Sequence, residues 1–154
     1  MSLPSERNID AFNADARERG GYLYSTNAPL SARLAHERYT QAILSLCDFQ
    51  GKNVIDIGCG DGVFTLELAT RGNPASLVAC DPAVEALELA AKKSTGSNIT
   101  FAAASAYDLP YADKQFDIAH LRAVLHHMDH PVDALREGLR VAKEIVVLEP
   151  NGYS

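Results

Sequence analysis

No stretch of the chain runs to about 18 consecutive apolar residues, so nothing in it reads as a membrane-spanning helix. The opening MSLPSERNIDAFNADARERGG is polar, mixed in charge and without the apolar core of a secretory leader, and the expectation is a cytosolic protein. There is no C-x-x-C pair: the 3 cysteines, Cys47, Cys59 and Cys80, stand far apart. That spacing argues against a zinc or redox pair and for reduced thiols packed as small apolar residues. Basic residues are the minority, 14 Lys plus Arg against 20 Asp plus Glu for a net charge of −6, and neither sign forms a block. Nucleic acid is a poor partner for such a surface. Internal repeats and low-complexity tracts are lacking as well.

What is present suits one globular domain: 154 residues, 47% hydrophobic and 22% charged, enough to bury a proper core. From about residue 53 onward, stretches of strand character alternate with stretches of helical period, which predicts a parallel sheet covered by helices. The strands expected are NVIDIG (53–58), SLVACD (76–81), NITFAAA (98–104), FDIAHL (116–121) and EIVVLEP (144–150). Between them, DGVFTLELATRG places Phe64, Leu68 and Ala69 on one helical face and stops at Gly72 with Pro74 beyond. PAVEALELAAKKS opens on Pro82 and carries Lys92 and Lys93 in its last turn, as a helix dipole favours. PVDALREGLRVA is expected to set Val132, Leu135 and Leu139 on one face. Ahead of the sheet, PLSARLAHERYTQAILSLC has Leu30, Leu34, Ile43, Leu44 and Cys47 at helical spacing, and GGYLYSTNAP before it is a turn-rich linker or lid.

The loop GCGDG (58–62) follows the first strand. In an open parallel sheet that loop lies where a ligand binds, beyond the carboxyl ends of the strands. Glycine lets the chain turn tightly and lets a ligand touch the main chain where a Cβ would intrude. A dinucleotide loop reads G-x-G-x-x-G and offers a bare helix N-terminus to a pyrophosphate. Here the spacing is G-x-G-x-G, Asp61 stands at the expected helix start, and no Lys follows as in a phosphate-cradling P-loop. A carboxylate at Asp61 caps the helix and repels phosphate. The second strand ends on Asp81, roughly twenty residues past the loop, where an acid takes a ribose diol. A ribose-bearing ligand that tolerates acids and lacks phosphate is S-adenosylmethionine, whose sulfonium and ammonium are cationic.

VIDIGCGDG, VACDP, ASAYDLPYADKQFDIAH and AVLHHMDHP, in this order, resemble the class I S-adenosylmethionine-dependent methyltransferases, in the subgroup acting on small molecules and quinones. The resemblance covers residues 50 to 150. It implies a Rossmann-like α/β fold, an open parallel sheet of order 3-2-1-4-5 with helices on both faces, and S-adenosylmethionine as the cofactor. It also implies transfer of a methyl group to a small-molecule acceptor by in-line displacement. By motif, Asp56, Gly58, Cys59 and Gly60 would line the methionine part, with the Asp56 carboxylate reaching the ammonium directly or through a water. Asp81 would bind both ribose hydroxyls and Pro82 would pack on the adenine. The family usually carries an acid where this chain has Ser105, so Ser105 and Ala106 would make a weaker version of the adenine contact. Leu121, ending the fourth strand, would lie near the methyl being transferred. On this reading residues 1–48 form a helical cap or lid and residues 49–154 the cofactor domain. The family's fold continues past a fifth strand, so this chain is expected to lack its final strands. An apolar edge at EIVVLEP would then need a second copy, a partner or missing sequence to cover it.

Other residues have plainer readings. His126 and His127 could take a proton as neutral imidazoles, but hydrogen bonding within their own loop is the plainer reading, and no catalytic residue is assigned. His126 and His130 would share a helical face only if Pro131 did not start the helix after them, so no metal site is expected. Tyr22 and Tyr24 could cover a sulfonium through a cation–π contact or pack under the first helix, and Arg33 reads as an exposed helix residue. Two other classes stay open. A nicotinamide oxidoreductase would bind NADH and not S-adenosylhomocysteine; a cofactor-binding module would bind the cofactor without transferring its methyl.

Overall fold

The apolar run at 54–57 is buried on both sides, as a central parallel strand requires. In β1 (Asn53–Ile57), Val54, Ile55 and Ile57 are wholly shielded from solvent. The computed structural model describes residues 4–26 and 28–150. Around β1 it arranges α3 (Val63–Gly72), β2 (Ser76–Asp81), α4 (Val84–Lys93), β3 (Ile99–Ala103), β4 (Phe116–Arg122), α5 (Pro131–Val141) and β5 (Ala142–Leu148), preceded by α1 (Pro4–Arg19) and α2 (Leu30–Leu46). The five strands form one sheet in the order β3-β2-β1-β4-β5, and every pairing is parallel. The expected strand order and doubly wound architecture are both present. The order reverses between β1 and β4, so the crevice at their carboxyl ends is the natural ligand position.

Alternation along the strands sorts side chains between two cores. Ile55, Ile57, Ala119 and Leu121 face Ala134 and Val141 of α5. Val54, Leu77 and Ile118 face Ile43 of α2, Leu68 of α3 and Phe49. The expected apolar face of α5 is corrected: Val132 and Leu139 are exposed, and the residues turned inward are Ala134, Gly138 and Val141. Small residues at that i, i+4, i+7 spacing bring the helix close to the sheet, and a Cβ on Gly138 would stand 3.1 Å from Cδ1 of Ile145. Leu30 and Leu34 of α2 are likewise exposed.

The opening helix α1 is the element that composition concealed, because most of its residues are polar. A narrow stripe of Ile9, Phe12 and Ala16 packs it on Ala83, Ala86 and Leu89 beside Tyr22. Asn13 Oδ1 accepts the Glu85 N–H (3.0 Å), Arg17 pairs with Glu85 (2.8 Å), and Asn8 donates to the His127 carbonyl (2.9 Å). These contacts lay α1 across the carboxyl ends of the strands. No helix among the described residues is long and apolar enough to cross a membrane.

Candidate active site

Under α1, the carboxyl ends of β1 to β4 enclose a cavity of about 250 Å³. Its floor is Gly58 and Gly60 after β1, Asp81 and Pro82 at the end of β2, Ser105 and Ala106 after β3, and Val124 and Met128 after β4; Ile9, Phe12, Tyr22 and Tyr24 form the roof. Six of the nine residues singled out from sequence therefore meet in one place.

The glycine loop is shaped by its neighbours. Gly58 (φ +78°) and Gly60 (φ +52°) are left-handed. A Cβ on Gly58 would lie 2.6 Å from the Val124 methyls, and one on Gly60 would lie 2.6 Å from Cε2 of Tyr22. The loop amides turn inward: the Gly58 and Cys59 N–H groups donate to the Cys80 carbonyl (2.8 and 3.1 Å), Gly62 N–H to the Cys59 carbonyl (3.0 Å), and Gly60 N–H to Asp81 Oδ2 (2.9 Å). A pyrophosphate needs such donors pointing outward, and these four already have acceptors.

Asp81 is 9% exposed. Each of its oxygens accepts one backbone N–H, from Gly60 and from Ala83 (2.8 Å), which leaves a lone pair on each. Burial above all, with the nearby Asp56 charge, raises its pKa above the ordinary carboxylate value even though both amides act to lower it. An ionised Asp81 thus gains from any donor or cation brought to it. Burial, followed by the charges of Asp81 and Asp61, keeps the Tyr22 and Tyr24 hydroxyls protonated.

Three of the expected residues are not among those lining the cavity. Asp56 lies beneath the loop, 3% exposed, where Oδ2 accepts from Thr65 Oγ1 (2.6 Å) and Oδ1 meets His120 Nδ1 (2.8 Å). It braces the loop from below and does not line the cavity. Cys59 also does not line it. Leu121 is wholly buried in the core under α5 and is not in the cavity lining. Asp61 does not cap α3: the N-cap is Gly62, with no side-chain hydrogen bond. Instead Asp61 Oδ2 accepts from Tyr22 N–H (3.0 Å), Ser25 Oγ (2.8 Å) and Thr26 Oγ1 (2.7 Å), with Lys93 Nζ at 3.4 Å. The acid next to the glycines holds down the lid loop that carries both tyrosines.

A second cavity of about 440 Å³ adjoins the first, and Phe12, Tyr24, Ala123 and His127 line both. Ala123 takes a left-handed φ of +56° directly after β4, turning the chain into the short 3-10 turn Leu125–His127 that lies between the cavities. The buried Arg122 of β4, unremarked in the sequence, also lines the second cavity. It donates to Thr40 Oγ1 (2.8 Å) and the His36 carbonyl (3.1 Å) and lies 3.6 Å from the Phe64 ring centroid. Its position at i+4 from Ile118, on the α2 face of β4, was the available signal.

Known proteins agree with this architecture. A family model described as "Methyltransferase domain" matches residues 55–152. The demethylmenaquinone methyltransferase of Thermobifida fusca is 35% identical over 116 residues, 71% of this chain and 48% of the relative. Among solved structures, the magnesium protoporphyrin IX methyltransferase of Synechocystis with bound SAM superposes with a TM-score of 0.77 at 18% identity, covering 96% of this chain and 76% of that one. The [4+2]-cyclase SpnF superposes equally well (TM-score 0.77, 23% identity, 96% and 61% covered), so the fold by itself leaves the reaction open. The chain spans 37% to 56% of the lengths of the first curated relatives it matches. With nearly all of the chain from β1 onward matched, it belongs to the methyltransferase-domain family.

Proposed function

We propose that the cavity under α1 binds S-adenosylmethionine and that the protein, acting in the cytosol, transfers its methyl to a small-molecule acceptor. The observation that carries this reading is the pairing of inward-turned loop amides with a buried carboxylate at the end of β2, a site that favours hydroxyls and cations over phosphate. Asp81 would take the ribose diol, Pro82 and Ala106 would flank the adenine, and Gly58 and Gly60 would let the methionine chain run along the main chain. Tyr22 and Tyr24 would cover the sulfonium with neutral rings. Ser105 Oγ accepts the Tyr107 N–H (3.2 Å), and its hydroxyl would be the polar contact for the adenine edge. Bound there, the sulfonium supplies an electrophilic methyl. The chain's own contribution is to exclude water with α1 and the lid and to hold the acceptor on axis. Residues 1–48 act in this reading as the cap on a cofactor domain of residues 49–154. The open edge of β5, which pairs only with β4 among the described residues, would be covered by a second copy or a partner; sedimentation of the purified protein tests this.

Calorimetric titration with S-adenosylhomocysteine tests the site. Binding is expected with a Kd on the order of micromolar, weakened by about 2–4 kcal/mol in Asp81→Ala, where both ribose bonds are lost. Unchanged affinity in the variant removes the ribose from Asp81. Binding of the cofactor without transfer to any acceptor would identify a binding module.

A further inference from the structure

The second cavity is not needed to hold the nucleoside, yet it shares a wall with the cavity that would. Most of that lining is aromatic or aliphatic: Phe12, Tyr24, Tyr39, Phe64 and Leu148. A flat apolar ring is the shape it accepts. Into this lining come two polar devices. Arg122 is the first, a guanidinium buried against Phe64. The second is a carboxylate–imidazole pair: Glu149, just past β5, meets His126 Nδ1 through Oε2 at 2.6 Å, while its Oε1 accepts the Val124 and Leu125 N–H groups at 2.7 and 2.8 Å. Glu149 thus anchors the turn and fixes the ring that the turn carries. With Nδ1–H given to the carboxylate, the lone pair of the neutral ring is at Nε2.

We infer that the second cavity takes a hydroxylated aromatic acceptor and that His126, positioned by Glu149, removes the proton from its hydroxyl. The inference rests on the reading of the first cavity as the S-adenosylmethionine site. The other titratable or charged groups lining this cavity are Arg122 from β4, His36 and Tyr39 from α2, Asp15 from α1, Tyr24 from the lid and His127 beside His126. Burial first, then the neighbouring Arg122 charge, lowers the His36 pKa, and burial followed by His126 lowers that of His127. Arg122, with Glu67 Oε2 3.8 Å from its Nη1, sets a guanidinium edge in the wall, and Asp15 at the rim is the one carboxylate of the lining; a hydroxyl that becomes an oxyanion meets a hydrogen-bond donor there. In the step, the O–H bond of the acceptor breaks and its proton joins His126 Nε2. The oxyanion attacks the sulfonium methyl, an O–C bond forms, and the S–C electron pair returns to sulfur as the thioether. The imidazolium proton then leaves to solvent, to which the His126 side chain is 39% exposed.

The test uses the full chain saturated with S-adenosylhomocysteine and 4-nitrophenol as probe, whose phenolate is read by its absorbance. Bound to the wild-type complex, the probe should be ionised at least tenfold more than free probe at the same pH, with His126→Ala removing most of that shift. Glu149→Gln keeps an oxygen for the Val124 and Leu125 amides, so cofactor affinity should hold while the ionisation shift falls several-fold. Arg136→Ala, exposed on α5, should change nothing. Failure of the probe to bind, binding without a shift, or a full shift in His126→Ala overturns the inference, as does an unchanged shift in Glu149→Gln. Calorimetry with S-adenosylhomocysteine on each variant reports separately on folding and on the first cavity. If the wild type does not bind that ligand, the cofactor reading fails instead.

Discussion

Asp81 and Asp61 are both buried acids beside the same loop, and their environments push them opposite ways. For Asp81 burial outweighs its hydrogen bonds and the pKa is raised. The ionised form that the ligand needs is therefore lost, as pH falls, above the ordinary carboxylate range. S-adenosylhomocysteine affinity is expected to drop on acidification through that raised pKa, and Asp81→Asn should bind weakly with a flat profile over the same interval. For Asp61 burial also acts to raise the pKa, but the Tyr22 N–H, Thr26, Ser25 and Lys93 together outweigh it and the net shift is downward. A depressed carboxylate stabilises the fold above its unfolded pKa and loses that contribution as pH falls through the folded one. Asp61→Ala leaves three buried or half-buried donors unmatched and should destabilise the protein by about 2–4 kcal/mol at neutral pH. Urea unfolding measures this, and faster amide exchange at Tyr22 would locate the loss in the lid. Asp81 was legible because an acid ending the second strand has one obvious outlet. Asp61 was not: its neighbours in the sequence are glycines, and its partners lie 32 to 39 residues away.

The inner strands β1, β2 and β4 announced themselves because strands buried on both faces demand apolar runs, while the partly exposed edge strands β3 and β5 showed through their place in the strand–helix alternation. The opening helix did not, since its core-facing stripe is only Ile9, Phe12 and Ala16. It nevertheless roofs the first cavity. Phe12 meets Tyr22 in a tilted ring contact at 5.1 Å and lies edge-on to His127 at 5.0 Å. Phe12→Ala should cost about 1–2 kcal/mol of stability for a half-buried ring and, by removing part of the roof, weaken S-adenosylhomocysteine binding as seen by calorimetry. The face of α5 was misread for a related reason. Apolar size suggested Val132, Leu135 and Leu139, whereas close helix–sheet packing selects the small residues on the other face.

At the scale of the whole molecule, a ligand that binds only the folded state raises its stability by mass action. S-adenosylhomocysteine at 100 times its Kd contributes about 2.7 kcal/mol, which for a domain of this size is a rise in Tm of roughly 5–10 °C. Thermal denaturation with and without ligand checks it, and NADH at the same concentration should give no rise. A rise with NADH alone would favour the oxidoreductase class and contradict the loop geometry.

The sequence by itself determined the sheet, its strand order through the family's motifs, and the loop and acid that face the cavity. These follow from local periodicity, from glycine spacing and from strand ends, all of which are short-range. Only the tertiary structure decided that Asp56 and Leu121 stay out of the cavity lining, that Asp61 latches the lid, and that Glu149 meets His126 across 23 residues of chain. Which side chains meet depends on strand parity and on the close approach of segments distant in sequence. Neither is encoded at any one position.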